Sequence, residues 1–255
     1  MVTGTEQTLT GKVAVVTGAG RGLGRAMALA LAAAGADIVL ASRTRDQLDA
    51  VASDVEAIGR RALAVPTDVT DPEAVSSLVD AVLHQFGHVD VLVNNSGVIS
   101  STPLLEQEPD DWDRVITTNV RGTFLMTRAI GRHLVAQGSG KIINIASNFA
   151  FKGVANHAAY CTSKAAVVAF TRSMAVEWAR HGVQVNALAP GYFATDLNAD
   201  LRADPDALAR VVKAIPARRM GTPDELSAWL LLLAGPASDF MTGETIIVDG
   251  GQTAR

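Results

Sequence analysis

The stretch K-V-A-V-V-T-G-A-G-R-G-L-G-R, which runs from Lys12 to Arg25, decides the predicted fold. Its β-branched first part, Lys12 to Thr17, predicts a strand, and the pattern from Arg25 to Ala34 predicts a helix. Between them lie three glycines with the spacing G-x-x-x-G-x-G: Gly18, Gly22 and Gly24. Because glycines lack side chains, backbone N–H groups can approach a pyrophosphate at the helix N-terminus, where the peptide dipoles favour negative charge. The stretch therefore predicts a nucleotide-binding turn between the first strand and the first helix.

The rest of the chain alternates apolar strands with helical patterns. Further strands are predicted at Asp37–Ser42, Ala62–Thr67, Val89–Asn94, Lys141–Ala146, Val183–Ala189 and Thr245–Val248. Helices are predicted at Arg45–Ile58, Pro72–Phe86, about Asp111–Ala136, from about His157, and at Asp224–Leu233. This alternation indicates a parallel sheet covered on both faces. We predict an α/β fold of Rossmann type, a doubly wound parallel seven-stranded sheet in a single domain (residues 11–255), after a flexible N-terminal tail (residues 1–10).

The composition suits one large α/β domain that acts on a small molecule. The 255 residues are 48% hydrophobic and 19% charged, which provides enough apolar material for a buried sheet. The net charge is −4 and the basic residues are scattered, which argues against nucleic-acid binding. The charge-free run Ala26–Ala36 is too short for a membrane span, and Met1–Thr10 is too polar for a signal peptide. A single cysteine, Cys161, excludes an internal disulfide, so we expect a cytoplasmic protein.

The end of the second strand is expected to select the nucleotide. An acidic residue about 20 positions after the turn would hold a ribose 2′-hydroxyl, but this chain has Ser42 and Arg43 there. Arg21 lies inside the glycine turn, so two guanidiniums could converge on a 2′-phosphate. NADP(H) is therefore favoured over NAD(H), with a solvated Arg43 as the alternative. Asp68, after the third strand, is placed to hydrogen-bond an adenine amino group.

A second motif indicates proton chemistry. Ser147 follows the strand Lys141–Ala146, and Tyr160 and Lys164 are spaced Y-x-x-x-K on the helix predicted from about His157. Positions i and i+4 of a helix share one face, so the phenol and the ammonium can point into one cleft. A nearby cation favours phenolate, and we therefore expect Lys164 to lower the pKa of Tyr160. The motif predicts a tyrosine that exchanges a proton with a substrate.

The complete set of motifs resembles the short-chain dehydrogenase/reductase family in its compact form. The motifs occur in one order along nearly the whole chain: Thr17-Gly18-x-x-x-Gly22-x-Gly24, Asp68, Asn94-Asn95-Ser96-Gly97, Asn119, Ser147, Tyr160-x-x-x-Lys164 and Pro190-Gly191. One departure is Ser96, where the family usually has alanine. This small change should leave nucleotide binding intact.

The resemblance implies which residues form the site. The catalytic tetrad would be Asn119, Ser147, Tyr160 and Lys164. The cofactor would contact Gly18, Arg21, Gly22, Leu23, Gly24, Ser42, Arg43, Asp68, Val69, Asn95, Ser96, Gly97, Tyr160, Lys164, Pro190, Gly191, Phe193 and Thr195. The substrate would contact Ser147, Asn148, Phe149, His157 and Tyr192, under a lid at about residues 192–220. The resemblance also implies that no metal is required and that the protein is a homodimer or homotetramer.

The implied reaction interconverts a secondary alcohol and a ketone. Tyr160 would exchange the proton of the reacting oxygen, Ser147 would orient that oxygen, and Asn119 would hold a water that links Lys164 to solvent. Three segments are similar to the branch of gluconate 5-dehydrogenases and 2-deoxygluconate 3-dehydrogenases: Pro190–Asn198, Leu201–Pro205 and Asp249–Arg255. That branch often carries arginines where this chain has Ser100-Ser101, and Lys152 or His157 could substitute for them.

Two other functions stay open. A 3-oxoacyl-carrier-protein reductase would share the tetrad and the NADP preference, but it would need a basic surface near the cleft. Arg121, Arg128 and Arg172 are weak candidates for that surface. A nucleotide-binding sensor or scaffold would keep the fold without turnover, although degraded copies typically lose the tyrosine or the lysine that this chain retains.

Overall fold

A computed structural model describes residues 8–195 and 199–254 of the chain. The strands are β1 Val13–Thr17, β2 Asp37–Ser42, β3 Ala62–Pro66, β4 Val91–Asn94, β5 Gly140–Ile145, β6 Val183–Pro190 and β7 Thr245–Val248. The helices are α1 Gly22–Ala33, α2 Arg45–Ala57, α3 Pro72–Phe86, α4 Pro109–Ile116, α5 Gly122–Gln137, α6 Ala158–Trp178, α7 Ala199–Ala203, α8 Pro205–Ala214 and α9 Pro223–Ala234. Within the described residues, no helix combines the length and the apolarity that crossing a membrane requires.

The strands form one sheet in the order β3-β2-β1-β4-β5-β6-β7, and every neighbouring pair is parallel. After β3 the chain returns to place β4 beside β1, so the direction of winding reverses between β1 and β4. In open α/β sheets, ligands bind outside the carboxyl ends of the strands at such a reversal. The predicted fold class, a doubly wound parallel seven-stranded sheet, is confirmed.

Alternate side chains of the strands fill two cores on opposite faces of the sheet. On one face, Ala14 and Val16 of β1 pack with α1, α2 and α9. On the other face, Val13 and Val15 pack with α3, α5 and α6. All five residues of β1 are buried, which explains why its sequence is an almost continuous apolar run. Burial of this apolar surface is the main favourable contribution to folding.

Two segments differ from the sequence predictions. The helical patterns expected at about 111–136 are confirmed as α4 and α5, but a π-helical turn at Thr117–Arg121 joins them. Such turns are frequent at functional sites. Within the expected flexible tail, Leu9 is buried and its N–H donates to Ala34 O (2.9 Å), so the packed domain includes Leu9. Residues 1–7 of that tail lie outside the described residues.

Charged side chains at the amino end of the sheet are paired within the protein. Lys12, next to β1, donates from Nζ to Asp90 Oδ1 (2.9 Å), just before β4. Lys141, near the start of β5, donates from Nζ to Asp239 Oδ1 (2.7 Å) and to Ser238 Oγ (3.3 Å). These contacts stabilise the end of the sheet that lies opposite the predicted site.

Candidate active site

The side chain of Thr17 fastens the glycine turn to β4. Thr17 Oγ1 accepts hydrogen bonds from the backbone N–H groups of Asn95 (2.9 Å) and Ser96 (3.0 Å). In return, Asn95 Nδ2 donates to Thr17 O (2.9 Å). These bonds join the carboxyl ends of β1 and β4 at the reversal of the sheet. They bring four predicted cofactor residues to one edge: Gly18, Asn95, Ser96 and Gly97.

Two glycines allow α1 to approach β1 closely. Gly18 has a φ of +64°, which side chains disfavour, and a Cβ there would lie 2.8 Å from Asn95 Nδ2. A Cβ at Gly24 would overlap Gly18 O. Leu23, between Gly22 and Gly24, packs against the core. The first N–H groups of a helix have no partner inside that helix, so this turn forms a cradle that fits a pyrophosphate.

The end of β2 carries groups that are complementary to a phosphate. Ser42 Oγ is buried and has no hydrogen-bond partner among the described residues. It faces the glycine turn, because a Cβ at Gly20 would lie 3.2 Å from it. Arg21, in the turn, and Arg43, next to Ser42, are both exposed. The unpartnered hydroxyl, with an exposed arginine in the glycine turn and another next in sequence, therefore fits the 2′-phosphate of NADP(H).

Asn119 lies in the π-helical turn, where it is buried and hydrogen-bonded on both sides of its amide. Its Oδ1 accepts from Val98 N (2.8 Å), and its Nδ2 donates to Val98 O (2.9 Å). The same Nδ2 donates to Ser163 Oγ (2.9 Å) on α6. Asn119 thus joins the loop after β4 to the helix that carries the Tyr-Lys pair. That it also holds a water stays a prediction.

Lys164 is buried, and its ammonium reaches the carboxyl end of β5. Nζ donates to the carbonyl oxygen of Ile145 (2.7 Å), the last residue of that strand. Burial lowers the pKa of Lys164 to about 8, because a poorly solvated environment disfavours the charged form. A Cβ at Gly97 would lie 3.5 Å from Nζ and 3.2 Å from Asn119 Oδ1. Gly97, Asn119 and Lys164 therefore meet at one point of the crevice.

The pKa of Tyr160 is shifted in the direction opposite to the one expected from the sequence. Burial raises the pKa of Tyr160 to about 12, and a hydrogen bond with Ser147 opposes this rise only in part. Lys164 Nζ lies 5.6 Å from the centre of the Tyr160 ring, and its hydrogen bond is made to Ile145 O rather than to the phenol. The expected lowering of the Tyr160 pKa is therefore wrong, because desolvation of the phenolate outweighs the attraction of the Lys164 ammonium.

Ser147 lies two residues after the end of β5, where it caps a short 3₁₀ turn. Asn148 is buried, and its Nδ2 donates to Gln252 Oε1 (2.9 Å) near the C-terminus. Its Nδ2 therefore ties the serine loop to the C-terminal segment, while its Oδ1 accepts a hydrogen bond from Ser147 Oγ (3.5 Å). The predicted contact of Asn148 with the substrate stays a prediction. Gln252 was not predicted as a site residue, because no local pattern marks a partner that is 104 positions distant in sequence.

The remaining predicted substrate residues meet beside Tyr160. The ring of Phe149 makes edge-to-face contacts with three other rings, with centroid distances of 5.4 Å to His157, 5.9 Å to Tyr160 and 6.3 Å to Tyr192. Lys152 Nζ lies 5.4 Å from the centre of the same ring. The cleft next to the predicted proton donor therefore has aromatic walls and a cation.

The segment after β6 forms a further wall. Thr195 lies near the glycine turn, since a Cβ at Gly22 would be 3.9 Å from Thr195 Cβ. Phe193 is buried in the core and forms an isolated bridge with Gly221. Its predicted contact with a cofactor stays a prediction. The predicted lid at 192–220 contains α7 and α8, and its residues 196–198 lie outside the described residues. Its action as a lid stays a prediction.

The other predicted cofactor residues lie at the same edge of the sheet. The pKa of Asp68 is lowered, first by a hydrogen bond from the Thr70 backbone, and the charge of Arg43 contributes to this lowering. Val69 is buried against α5. Pro190 ends β6, and the N–H of Gly191 donates to Val248 O (2.9 Å). Across residues 8–195 and 199–254, no group of three or more His, Cys, Asp or Glu residues is arranged to hold a metal ion.

Comparison with known proteins shows similarity along nearly the whole chain. A family model described as enoyl-(acyl carrier protein) reductase matches residues 18–253. A 2-dehydro-3-deoxy-D-gluconate 5-dehydrogenase of Escherichia coli (strain K12) is 45% identical over 97% of each chain. A 3-oxoacyl-[acyl-carrier-protein] reductase of a Synechocystis strain is 42% identical over 95% of this chain and 97% of that protein. The crystal structure of a gluconate 5-dehydrogenase from Burkholderia cenocepacia J2315, in complex with NADP and tartrate, is 39% identical, with a TM-score of 0.93 over 98% of each chain.

Proposed function

The chain belongs to the short-chain dehydrogenase/reductase family, and we propose that it is an NADP(H)-dependent oxidoreductase that interconverts a secondary alcohol and a ketone on a sugar acid. Membership of the family makes it an oxidoreductase that acts on a CH–OH group with a nicotinamide nucleotide. One observation carries the proposal. The side chains of Ser147, Tyr160 and Lys164 converge at the carboxyl end of β5, beside the glycine turn.

Tyr160 is the proton donor of the proposed mechanism. A bound nicotinamide supplies the hydride for a ketone, or accepts it from an alcohol. Because burial raises its pKa to about 12, Tyr160 keeps its proton at neutral pH and can donate it to the strongly basic alkoxide that forms. Ser147, which hydrogen-bonds to the phenol, orients the same oxygen. Oxidation of the alcohol uses the same groups in reverse.

Lys164 and Asn119 support this proton transfer. With a pKa of about 8, Lys164 is mostly charged at neutral pH, so it stabilises the phenolate that remains when the proton has left. Asn119 fixes the loop after β4 and α6 relative to each other through Val98 and Ser163. The ammonium and the phenol are thereby held in place before substrate binds.

The preference for NADP(H) is supported by the end of β2. Ser42 Oγ needs a hydrogen-bond partner, and the exposed Arg43 and Arg21 lie next to it in sequence and across the turn. A similar protein, the Burkholderia gluconate 5-dehydrogenase, is in complex with NADP. The group most directly responsible in this chain is Arg43, since it adjoins Ser42.

The sugar-acid substrate is supported by the named activities of the similar Escherichia and Burkholderia proteins. The competing function is 3-oxoacyl-carrier-protein reduction, which the Synechocystis relative and the family model favour. That function needs a basic surface near the cleft. Arg128, a candidate for this surface, instead lines a groove between α5 and α6. The sugar-acid substrate is therefore preferred.

The same groove supports a homodimer or a homotetramer. It encloses about 360 Å³ and is lined largely by apolar side chains, among them Phe124, Phe170, Met174 and Trp178. Gly131 allows the Trp178 ring to lie directly against α5. An exposed apolar groove of this kind is typical of a subunit interface. The number of subunits and the cytoplasmic location stay predictions.

A substrate panel tests the proposed function. NADPH and NADH consumption or formation is followed by absorbance with aldonates, ketoaldonates, acetoacetyl thioesters and simple diketones. We expect turnover of a sugar acid, with a higher kcat/KM for the NADP couple. Turnover of acetoacetyl thioester without turnover of any sugar acid would reject the proposal in favour of the acyl reductase. A chain that binds NADPH but turns over no substrate would be a sensor.

A further inference from the structure

The side chain of Lys152 stands at the substrate cleft and is not part of the catalytic tetrad. We propose that Lys152 binds the carboxylate of the substrate, in an anion-binding subsite built on Phe149 and completed by His157. The inference rests on the proposed function, because it presupposes a sugar acid. Lys152, in the loop after β5, would then determine whether the enzyme prefers charged or uncharged substrates.

The geometry places a cation one ring away from the proton donor. Lys152 Nζ lies 5.4 Å from the centre of the Phe149 ring, and that ring lies 5.9 Å from the ring of Tyr160. A substrate whose hydroxyl or carbonyl oxygen meets Tyr160 can therefore extend along Phe149 toward the ammonium. An ammonium offers three N–H donors and no acceptor, which makes a carboxylate its natural ligand.

The two lysines beside the cleft have different surroundings. Lys164 is buried and donates to Ile145 O inside the fold, close to the reacting centre. Lys152 is only partly buried, and its Nζ lies over the Phe149 ring, 5.4 Å from the ring centre. A carboxylate bound to Lys164 would compete with proton transfer, whereas one bound to Lys152 leaves Tyr160 accessible.

Phe149 fixes the distance between the cation and the catalytic serine. Its side chain is buried, and its backbone N–H donates to Ser147 Oγ (3.2 Å). A cation over an aromatic face is attracted by the ring quadrupole, so Phe149 also favours the observed position of Lys152. The subsite is thus connected to the catalytic residues through one short turn and does not depend on a separate loop.

His157 adds a hydrogen-bond acceptor that suits a polyhydroxy chain. His157 Nδ1 lies 2.7 Å from the carbonyl oxygen of Ala155, so Nδ1 carries the proton and donates it to that oxygen. In the neutral ring, Nε2 is then an acceptor. Its ring contacts Phe149 at 5.4 Å, next to Lys152. Phe149 is therefore flanked by a donor for a carboxylate and an acceptor for hydroxyl groups, the combination that a hydroxy acid requires.

The experiment compares two substrates that differ only in charge. D-gluconate and D-gluconamide share one polyol chain, and the amide removes the negative charge. Steady-state kinetics with NADP are measured for the wild type, Lys152→Gln, Lys152→Arg and the control Lys12→Gln, which removes a lysine charge at the amino end of the sheet. We expect Lys152→Gln to raise the KM for gluconate by about ten- to a hundredfold at nearly unchanged kcat. Gluconamide kinetics, the Lys12→Gln control and, within a few-fold, Lys152→Arg should resemble the wild type.

Each outcome separates the subsite from the proposed function. If the wild type oxidises gluconate and Lys152→Gln leaves its KM unchanged, or changes the KM values for gluconate and gluconamide equally, the charge of Lys152 does not bind the substrate and the subsite is rejected. If the wild type turns over acetoacetyl thioester and neither gluconate nor a ketoaldonate, the proposed function fails and the subsite fails with it. A loss confined to the charged substrate supports both.

Discussion

The ammonium groups of two buried lysines lie at opposite ends of β5, and their surroundings differ. Lys141 lies at the amino end, where its ammonium donates to Asp239 Oδ1 (2.7 Å) and Ser238 Oγ (3.3 Å). Lys164 reaches the carboxyl end, where it donates to Ile145 O (2.7 Å) and, among the described residues, has no carboxylate within ion-pair distance. Burial lowers the pKa of Lys164 to about 8. One buried cation is therefore neutralised by the fold, and the other is not.

This difference separates the stabilising end of the sheet from the chemical end. A buried charge without a counter-ion costs free energy, and so does a buried hydroxyl without a partner. The carboxyl end contains both, in Lys164 and in the Ser42 hydroxyl. At the amino end, Lys12 and Lys141 are paired with aspartates. The buried cation without a counter-ion thus lies at the end of the sheet where a nucleotide and a substrate would bind.

The largest expected effect comes from removing one oxygen at the chemical end. Tyr160→Phe should lower kcat by about 10²- to 10⁴-fold, because general acid catalysis contributes that much and the ring packing on Phe149 is kept. NADPH binding, followed by its fluorescence, should persist. Tyr192→Phe is the matched control, since it removes a hydroxyl from the other tyrosine that contacts Phe149. This variant should lower kcat by less than about tenfold. Near-normal turnover of Tyr160→Phe would reject the proposed proton donor.

The next largest effect is on stability and has an unusual sign. Lys164→Met removes a buried charge, and at pH 7 the nucleotide-free variant should be more stable than the wild type by about 2 kcal/mol. Lowering the lysine pKa from 10.5 to about 8 corresponds to about 3 kcal/mol, and the lost bond to Ile145 O offsets about 1 kcal/mol of this. Activity should be lost, because the phenolate is no longer stabilised.

The pH dependence of the same comparison gives an independent check. Below pH 8, both the folded and the unfolded wild type bind the Lys164 proton, so the folded state bears the full cost. Between pH 8 and 10.5 only the unfolded state binds this proton, so the free energy of unfolding of the wild type should rise. The gap, which is the difference in free energy of unfolding between Lys164→Met and the wild type, should therefore close. Urea unfolding from pH 7 to 10 measures the gap. A gap that is constant over this range would show that Lys164 is not a destabilising buried cation.

A smaller effect is expected where the cofactor preference is encoded. Arg43→Ala should raise the KM for NADPH by roughly tenfold and leave that for NADH within about twofold, because only NADPH has a 2′-phosphate. Arg45→Ala is the control, since it removes the same charge from the neighbouring helix, where Arg45 already pairs with Asp49. Equal losses with both nucleotides, or a wild type that prefers NADH, would contradict the role of Arg43.

Much of this organisation is predictable from the sequence because it is local. The strand-turn-helix unit from Lys12, the parallel sheet and the spacing from Ser147 to Lys164 follow from periodicity, glycine placement and short motifs. The direction of the Tyr160 pKa shift was not predictable, because it depends on burial by residues that are distant in sequence. The Asn148–Gln252 bond and the π-helical turn around Asn119 likewise arise from tertiary contacts that no sequence period records.

The smallest expected effect belongs to the amino end, and it completes the comparison of the two lysines. Lys141→Met removes the ion pair with Asp239, whose side chain is 68% exposed and is easily hydrated once alone. The variant should lose only about 1 kcal/mol of stability at pH 7, measured by the same urea unfolding, and it should keep its turnover. The sign is the decisive quantity. Lys141→Met should destabilise the protein, because the fold supplies a carboxylate to that lysine. Lys164→Met should stabilise it, because the fold supplies none there. If both methionine variants changed stability in the same direction, pairing by Asp239 would not be the cause of the difference.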